Sequence, residues 1–427
     1  MFARKPYLDG FDWTALFLNS ECARTPGKGN HFTLMLQAEG QFQEKELRKF
    51  LAPLRSGEEI FNGTIRRHPL HLAPWWKKGK RGEVPFTSED MQYRNDFPEI
   101  LNRFCNQPMP ANRSLAIHWV RNGNGDFLLF KFSHLLFDGR GAELLLERLR
   151  SGVLFKNDDP PPGLDSPNLN EWKKQFSCGR QIQNLLLAIH RAGKIIAHPA
   201  PPHSEAFFRI ISLNEQETEN ILARSDREAG PFMMTPFLLA LTASEYRNIL
   251  AENESGNILV PMSVNMRGQE EIPAGTMLFN QWSMLPLLIR EESFENGKKL
   301  IAELRKNIFV STGERIAAAY RTASRLSRIV PPWILHRIVA KIGPVCSGTF
   351  MFSFLPETSL EQNTAAGAKI ENLVHLPSMP PITGLGVFFN LFNNRLNAVI
   401  SGRKEVFDED KLERFCTALE QNLRGIK

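Results

Sequence analysis

The chain is 427 residues long, more than one hydrophobic core usually serves, so we expect two lobes of about 200 residues each. Hydrophobic residues make up 42% of the chain, which is enough to build both cores. The formal net charge of +6 favours anionic partners but does not choose among phosphates, acidic lipid and nucleic acid.

The five cysteines argue against both a disulfide framework and a zinc site. They are odd in number, far apart and form no CxxC pair: Cys22, Cys105, Cys178, Cys346 and Cys416. We therefore expect reduced thiols in a cytoplasmic protein. The first residues, MFARKPYLDGFDWTALFLNS, carry Asp9 and Asp12 where a signal peptide would be apolar, so no signal peptide is expected.

A basic stretch, IRRHPLHLAPWWKKGKRG, covers residues 65–82. It combines six cations with two tryptophans: Arg66, Arg67, Lys77, Lys78, Lys80, Arg81, Trp75 and Trp76. Such a pattern is compatible with nucleic-acid binding, but no RNA- or DNA-binding motif accompanies it, so we expect no nucleic acid. A solvated basic loop is the simpler interpretation, and docking of an anionic partner is the functional one.

The clearest local prediction is a β-hairpin followed by a helix. The runs SLAIHWVR and DFLLFKFSH flank an Asn-Gly turn, NGNG, and His134 ends the second strand. Apolar residues then recur at helical spacing, at Ala142, Leu145, Leu146 and Leu149, with Glu143 among the polar residues between them. Residues 134–139 therefore form a corner between a strand and a helix.

Two proline-rich stretches, DDPPPG (158–163) and HPAPPH (198–203), bracket a helical segment and predict the crossing between lobes. We place the lobes at 1–203 and 204–427. The second half alternates helices with strands, which include NILVPMSVNMR, QWSMLPLLI, TFMFSFL and TGLGVFFNLFNNRLNAVIS. Alternation in both halves predicts an α/β (α+β) protein.

The corner carries residues suited to proton transfer. A histidine has the unperturbed pKa nearest neutrality, so His134 could take a proton from a hydroxyl or amine that attacks an acyl carbon. Gly139 would let the chain turn sharply, and Asp138, if buried, needs an arginine partner. A metal site built on His134 and Asp138 lacks a third ligand at suitable spacing, so no metal is expected.

The string His134-Leu-Leu-Phe-Asp138-Gly139 resembles the HxxxDG signature of the chloramphenicol acetyltransferase-like superfamily. That superfamily includes condensation domains of peptide synthetases, plant BAHD acyltransferases and bacterial wax ester synthases. The resemblance extends to the roughly 130 residues before the motif, to ILVPMSVNMRG and to NNRLNAVIS. It implies two similar lobes, each a mixed β-sheet flanked by helices, with an active-site tunnel between them.

The resemblance also implies residue roles. His134 matches the catalytic histidine, and Asp138 matches an aspartate that pairs with an arginine, for which Arg267 is the candidate by position. Ser133 stands where condensation domains and wax ester synthases often have a first histidine, and the DFGWG motif of the plant enzymes is absent. Asn280, Thr349 and Ser353 lie in segments that face the tunnel in the family, and the Gly139 N–H is a further candidate donor to an oxyanion.

Together these features predict an acyltransferase that moves an acyl group from acyl-coenzyme A or an acyl-carrier protein to a hydroxyl. We expect lipid-like substrates and no bound cofactor. Two alternatives stay open: an amide-forming condensation enzyme, and a non-catalytic protein that binds a carrier protein. No GxSxG elbow supports a hydrolase.

One segment predicts contact with a membrane surface. In RLSRIVPPWILHRIVAKIG (325–343), Pro331 and Pro332 can start a helix, and apolar residues recur at helical spacing beside Trp333 and several cations. A helix packed on the second lobe with its cations in water is the alternative. This segment and NLLLAIHRAGKIIA are too short and too charged to cross a bilayer, so peripheral contact from the cytoplasmic side is the expectation.

Overall fold

The computed structural model describes residues 5–55, 59–80, 82–156, 159, 163–164, 171–269, 272–358, 360 and 363–426. The strands of this part of the chain are β1 (His31–Ala38), β2 (Thr64–Arg67), β3 (Pro74–Lys77), β4 (Phe86–Asp90), β5 (Leu115–Arg121), β6 (Phe127–Ser133), β7 (Ala206–Ser212), β8 (Ile258–Asn265), β9 (Trp282–Ile289), β10 (Met351–Leu355), β11 (Thr364–Ala365), β12 (Ala368–Pro377), β13 (Leu385–Phe392) and β14 (Arg395–Arg403).

The helices pack on these strands. They are α1 (Gly10–Glu21), α2 (Glu44–Arg55), α3 (Phe97–Asn106), α4 (Gly139–Ser151), α5 (Trp172–Arg191), α6 (Glu215–Glu228), α7 (Met234–Glu245), α8 (Gly297–Gly313), α9 (Ile316–Ser324), α10 (Pro332–Ile342), α11 (Pro344–Ser347) and α12 (Glu409–Arg424). The expected α/β class, with two mixed sheets flanked by helices, is confirmed.

The two large sheets have the strand orders β11-β12-β1-β6-β5-β4 and β7-β14-β13-β10-β8-β9. Both are mixed, since β4 and β5 run parallel in the first sheet and β10 runs parallel to β8 and β13 in the second. The hairpin expected before the corner is present as the antiparallel pair β5 and β6. Both faces of β6 are buried, which explains why its sequence, FLLFKFS, is nearly continuously apolar.

The sheets are not partitioned at residue 203. Strand β12 comes from the second half of the sequence but pairs antiparallel with β1, so it extends the first sheet. Conversely, α1 comes from the first half of the sequence but packs against α9 and α10, which come from the second half. The lobe boundary at 203 remains a prediction, and residues 157–158, 160–162 and 165–170, around the first proline-rich stretch, lie outside the described residues.

Of the four apolar clusters in the described residues, the three largest hold these layers together. One lies between the first sheet and helices α2 and α4, and a second surrounds the second sheet. A third joins the facing strands of the two sheets through Met35, Leu129, Val374, Phe208 and Val399. Because each fully buried side chain of this kind contributes about 1.5–3 kcal/mol, this third cluster fixes the two sheets against each other beside the cavity described below.

The basic stretch is partly structured rather than a fully solvated loop. Residues 64–67 and 74–77 form the hairpin β2–β3, in which the Trp76 side chain is buried and its indole N–H donates to the Ile60 carbonyl at 2.9 Å. The Arg67 guanidinium stacks over the Trp13 ring at 4.3 Å. Arg66, Lys77 and Lys78 are exposed, while Arg81 lies outside the described residues.

Helix α10 has two different faces. Leu335 and Val339 point inward and line a cavity, whereas Trp333 and Ile338 are 59% and 42% exposed. The Arg337 guanidinium lies 5.3 Å from the Trp333 ring centroid on this outer face. The helix is therefore a packed wall of the protein with an exposed apolar and basic edge. Within the described residues, no helix is both long enough and apolar enough to cross a membrane.

Candidate active site

The corner between β6 and α4 is held by backbone hydrogen bonds. The His134 N–H donates to the Asn30 carbonyl at 3.0 Å, and the Phe137 N–H donates to the Ser133 carbonyl at 3.0 Å. Asp138 is the N-cap of α4, and its carboxylate accepts from the Gly141 N–H at 2.8 Å. Gly141 is required here, because a Cβ at this position would lie 2.2 Å from the Met277 carbonyl oxygen.

Asp138 and Arg267 form a buried, bidentate ion pair. The arginine Nη1 and Nη2 donate to the two carboxylate oxygens at 3.0 and 2.8 Å, and the Gln281 N–H donates at 2.8 Å. Burial alone would raise the pKa of Asp138, but the Arg267 guanidinium and the two N–H donors hold it below its usual value. The carboxylate therefore fixes the corner to the segment that follows β8. Among the described residues, it makes no hydrogen bond to the His134 ring.

His134 sits against an aromatic ring at the cavity wall. Its imidazole centroid lies 4.5 Å from that of Phe32, and its backbone carbonyl accepts from Asn280 Nδ2 at 2.8 Å. Burial lowers the pKa of His134 to about 4, against the opposing effect of the Asp138 charge. The imidazole is therefore neutral near pH 7 and can accept a proton without first losing one.

Asn280, one of the expected oxyanion donors, is fully engaged elsewhere. Its Nδ2 donates to Asp12 Oδ1 at 3.1 Å as well as to the His134 carbonyl, and its Oδ1 accepts from Trp282 Nε1. Both amide hydrogens are thus used, since an amide nitrogen has only two. Asn280 therefore fixes the main chain at His134, and its side chain also acts to raise the pKa of the His134 imidazole. Its role as an oxyanion donor stays a prediction. Burial raises the pKa of its partner Asp12 to about 6.

Thr349, the second expected donor, is also structural. It is fully buried, its hydroxyl donates to the Ile196 carbonyl at 2.5 Å, and it accepts from the Leu259 N–H at 3.0 Å. These bonds tie the segment between α5 and β7, through Ile196, to β8. Of the three expected donors, Ser353 on β10 lines the cavity. Gly139 also lines it and so keeps its candidate role.

His134 opens onto a cavity of about 540 Å³ between the two sheets. Its walls combine the corner with residues of β8, β10 and β13, and the lining includes His134, Gly139, Arg267, Ser353, Met351 and Phe388. A second cavity of about 300 Å³ has a mainly apolar lining and shares Leu18, Trp282, Met351 and Pro380 with the first. The histidine thus stands beside a largely apolar chamber with several polar groups, which adjoins a second and more apolar one.

Ser133 faces a histidine across the sheet. In the register of β1 and β6, Ser133 is directly opposite His31. Burial lowers the pKa of His31 to about 3, and the charges of Lys131 and His134 act in the same direction. The position that holds serine in this sequence thus has a neutral imidazole as its cross-strand neighbour.

A second histidine on the cavity wall was not found by sequence reasoning. His375, on β12, lines the cavity and is 5% exposed, and its Nε2 lies 2.7 Å from Glu143 Oε1. Glu143, expected among the polar residues of α4, is instead buried at 3% exposure and also pairs with Arg140. One feature of the sequence indicates that Glu143 is buried. It lies three residues before Leu146, which places both residues on the buried side of α4.

Comparisons with known proteins give the fold. No family model matches the sequence, and no curated protein matches it. Among solved structures, the first condensation domain of the CDA synthetase matches with TM-score 0.73 at 13% identity, over 100% of this chain and 97% of that chain. The trichothecene 15-O-acetyltransferase from Fusarium sporotrichioides matches with TM-score 0.70 at 12% identity, over 99% and 95%.

The chain has the condensation-domain and chloramphenicol acetyltransferase-like fold. A third structure with this fold is the starter condensation domain of rhizomide synthetase, in complex with C8-CoA and Leu-SNAC, at TM-score 0.67 and 11% identity over 99% of this chain and 94% of that chain. The neighbours with this fold include condensation domains, which form amides, and an acetyltransferase. In the described residues, no cluster of three or more histidine, cysteine or acidic side chains could hold a metal ion.

Proposed function

We propose that this protein transfers an acyl group from a thioester donor to a hydroxyl acceptor, with His134 as the general base. The observation that carries the proposal is a neutral imidazole on the wall of a cavity of about 540 Å³, on a corner fixed by the Asp138–Arg267 pair. General-base catalysis needs a proton acceptor within reach of the substrate, and a buried ion pair that fixes the corner supports its position.

The reaction balances with the residues present. The acceptor oxygen attacks the acyl carbon while its proton moves to His134, which gives a tetrahedral intermediate and an imidazolium. The intermediate then expels the thiolate, and the imidazolium returns the proton to the sulfur. The developing oxyanion needs a donor, for which Ser353 and the Gly139 N–H are our candidates, because both residues line the cavity.

Cavity composition supports the substrate class. The second cavity is mainly apolar and adjoins the first through Trp282 and Met351, so a hydrocarbon chain placed there would leave its thioester near His134. Acyl-coenzyme A and an acyl-carrier protein are both candidate donors. The rhizomide synthetase domain was solved with C8-CoA, which is the precedent for a thioester in this fold.

The test is thiol release from acyl-coenzyme A and acyl-carrier donors of several chain lengths, against alcohols, amines and water. Release that depends on an alcohol, yields the ester and is lost in His134→Ala supports the proposal. Release that depends on an amine would assign the condensation alternative. Binding of a carrier protein with no donor consumed would assign the non-catalytic alternative.

The outer face of α10 supports peripheral contact with anionic lipid as a further part of this proposal. Trp333 and Ile338 are exposed there, beside the cations Arg337 and Lys341. An interfacial tryptophan with neighbouring cations suits the head-group region of an acidic membrane. Such contact would bring lipid-like substrates to the protein.

A further inference from the structure

Glu143 fixes the hydrogen position on the His375 ring. An ionised glutamate only accepts hydrogen bonds, so the His375 nitrogen that meets Glu143 Oε1 at 2.7 Å, Nε2, must carry the hydrogen. The other carboxylate oxygen, Oε2, is occupied by Arg140, which also donates to the Glu357 carbonyl at 2.9 Å. In the neutral ring the remaining nitrogen, Nδ1, is therefore a hydrogen-bond acceptor.

That acceptor nitrogen belongs to the cavity wall. A Cβ built on Gly139 would lie 3.2 Å from His375 Nδ1, so the absence of a side chain at Gly139 leaves this side of the ring uncovered. Both residues line the cavity. Among the described residues, none donates a hydrogen bond to Nδ1, although the imidazole is almost completely buried. This nitrogen is not among the fully enclosed polar atoms without a partner, so it reaches the cavity, where a donor group of a substrate could hydrogen-bond to it.

We infer that His375 is a specificity-determining residue that accepts a hydrogen bond from a second hydroxyl or amine of the acceptor substrate. The inference rests on the proposed function and deepens it: the acceptor carries one group that reacts at His134 and another that donates to His375 Nδ1. The cavity that contains both histidines is large enough for an acceptor of this kind.

The test compares three acceptors in the thiol-release assay: a straight-chain primary alcohol, the diol with a second hydroxyl on the neighbouring carbon, and the methyl ether of that second hydroxyl. We expect the wild-type protein to favour the diol over the other two by about 3- to 10-fold in kcat/KM, the range that one hydrogen bond supports. His375→Phe should remove this preference, mainly through a rise in KM for the diol.

Glu143→Gln sharpens the test because Arg140 constrains the new amide. Arg140 needs an acceptor, so the amide oxygen should face Arg140 and the NH₂ should face His375 Nε2. Nε2 must then accept, and the hydrogen moves to Nδ1, which can donate to a hydroxyl or to an ether oxygen. The diol should therefore lose its advantage over the methyl ether, while both stay better acceptors than the simple alcohol. Glu254→Gln is the matched control, since Glu254 pairs with His198 at 2.5 Å and neither residue lines this cavity. It should leave the preference unchanged.

Nitrogen NMR of histidine-labelled protein provides a readout that needs no turnover. The His375 signals, assigned with His375→Phe, should show hydrogen on Nε2 in the wild type and on Nδ1 in Glu143→Gln, and the diol should shift the Nδ1 signal in the wild type. Hydrogen on Nδ1 in the wild type, or a diol preference that survives in His375→Phe, would overturn the inference. If no donor is consumed while these signals behave as expected, the proposed function fails and the binding role of His375 stands.

Discussion

His134 and His375 share one cavity, yet their carboxylates are arranged in opposite ways. Asp138 is four residues from His134 but pairs with Arg267, so it fixes the corner and leaves the ring in a mostly apolar setting. Glu143 is 232 residues from His375 in sequence but meets its ring directly. The first arrangement gives a neutral base on a rigid support, and the second gives a ring with a fixed hydrogen position. Closeness in sequence therefore does not tell which carboxylate orients which histidine.

The largest effect should separate the two histidines by rate. His134→Ala should lower kcat by roughly two to four orders of magnitude, the range for loss of a general base, with little change in melting temperature. His31→Asn is the control, because His31 is also a buried imidazole but is not among the described residues that line the cavity. A well-folded His134→Ala protein with wild-type turnover would remove His134 from the mechanism.

Asp138 should matter through folding, in contrast to His134. Asp138→Ala leaves Arg267 as a buried charge without its partner, and we expect the free energy of unfolding to fall by about 3–5 kcal/mol. Urea unfolding measures this change. Replacing both partners, as in Asp138→Ala with Arg267→Met, should cost less than the sum of the single changes. A loss below about 1 kcal/mol in the single variant, as for an exposed pair, would contradict the structural role.

Asn280 and Thr349 form a matched pair that tests what fixes His134. Each has its hydrogen-bonding groups occupied, so Asn280→Ala and Thr349→Val should each cost about 1–3 kcal/mol of unfolding free energy. Only Asn280 touches the His134 main chain, so only Asn280→Ala should also lower kcat. Equal kcat values in the two variants would show that the contact with the His134 carbonyl does not position the ring.

The buried imidazoles should make stability depend on pH. The pKa of His134 falls from 6.5 to about 4 on folding, so the unfolded chain binds a proton in this window that the folded protein does not. Unfolding free energy should therefore fall as pH falls from 6.5 to 4, by about 1.4 kcal/mol per pH unit for each such proton. His31 contributes a second proton in the same direction. Asp12, whose pKa is raised, has the opposite effect between pH 3.8 and about 6, because there the folded protein binds a proton that the unfolded chain does not.

Urea unfolding at several pH values tests this balance. In His134→Ala the proton taken up by His31 and the one released by Asp12 nearly cancel, so the dependence should become much shallower between pH 4 and 6. An unchanged slope would mean that His134 is not desolvated in the folded protein.

The sequence predicted the corner because its signals are local. A strand pattern that ends at His134, an N-cap at Asp138 and apolar spacing from Ala142 all lie within one short segment. It did not predict the crossing of β12 into the first sheet, since strand pairing depends on non-local contacts that leave no periodic mark. His375 and Glu143 were missed for the same reason, because neither has a neighbour in sequence that indicates the other. The role of Asn280 stayed open because sequence cannot show which hydrogen bonds an amide already makes.

The smallest expected effect concerns α10, whose two faces allow surface contact to be tested without disturbing the cavity. Leu335 and Val339 face inward, so the outward substitutions Trp333→Ala and Arg337→Glu should leave the fold and the cavity intact. We expect the wild-type protein to bind vesicles with anionic lipid weakly at low salt, because cations near such a surface contribute about 1 kcal/mol each and salt screens them. The double variant should bind less.

The matched control is Trp333→Ala with Arg290→Glu, since Arg290 is an exposed cation that follows β9. This control should lose only the part of the vesicle binding that Trp333 contributes. Co-sedimentation measures all three, and equal pelleting of the two double variants would leave net charge, rather than the α10 edge, as the cause of binding.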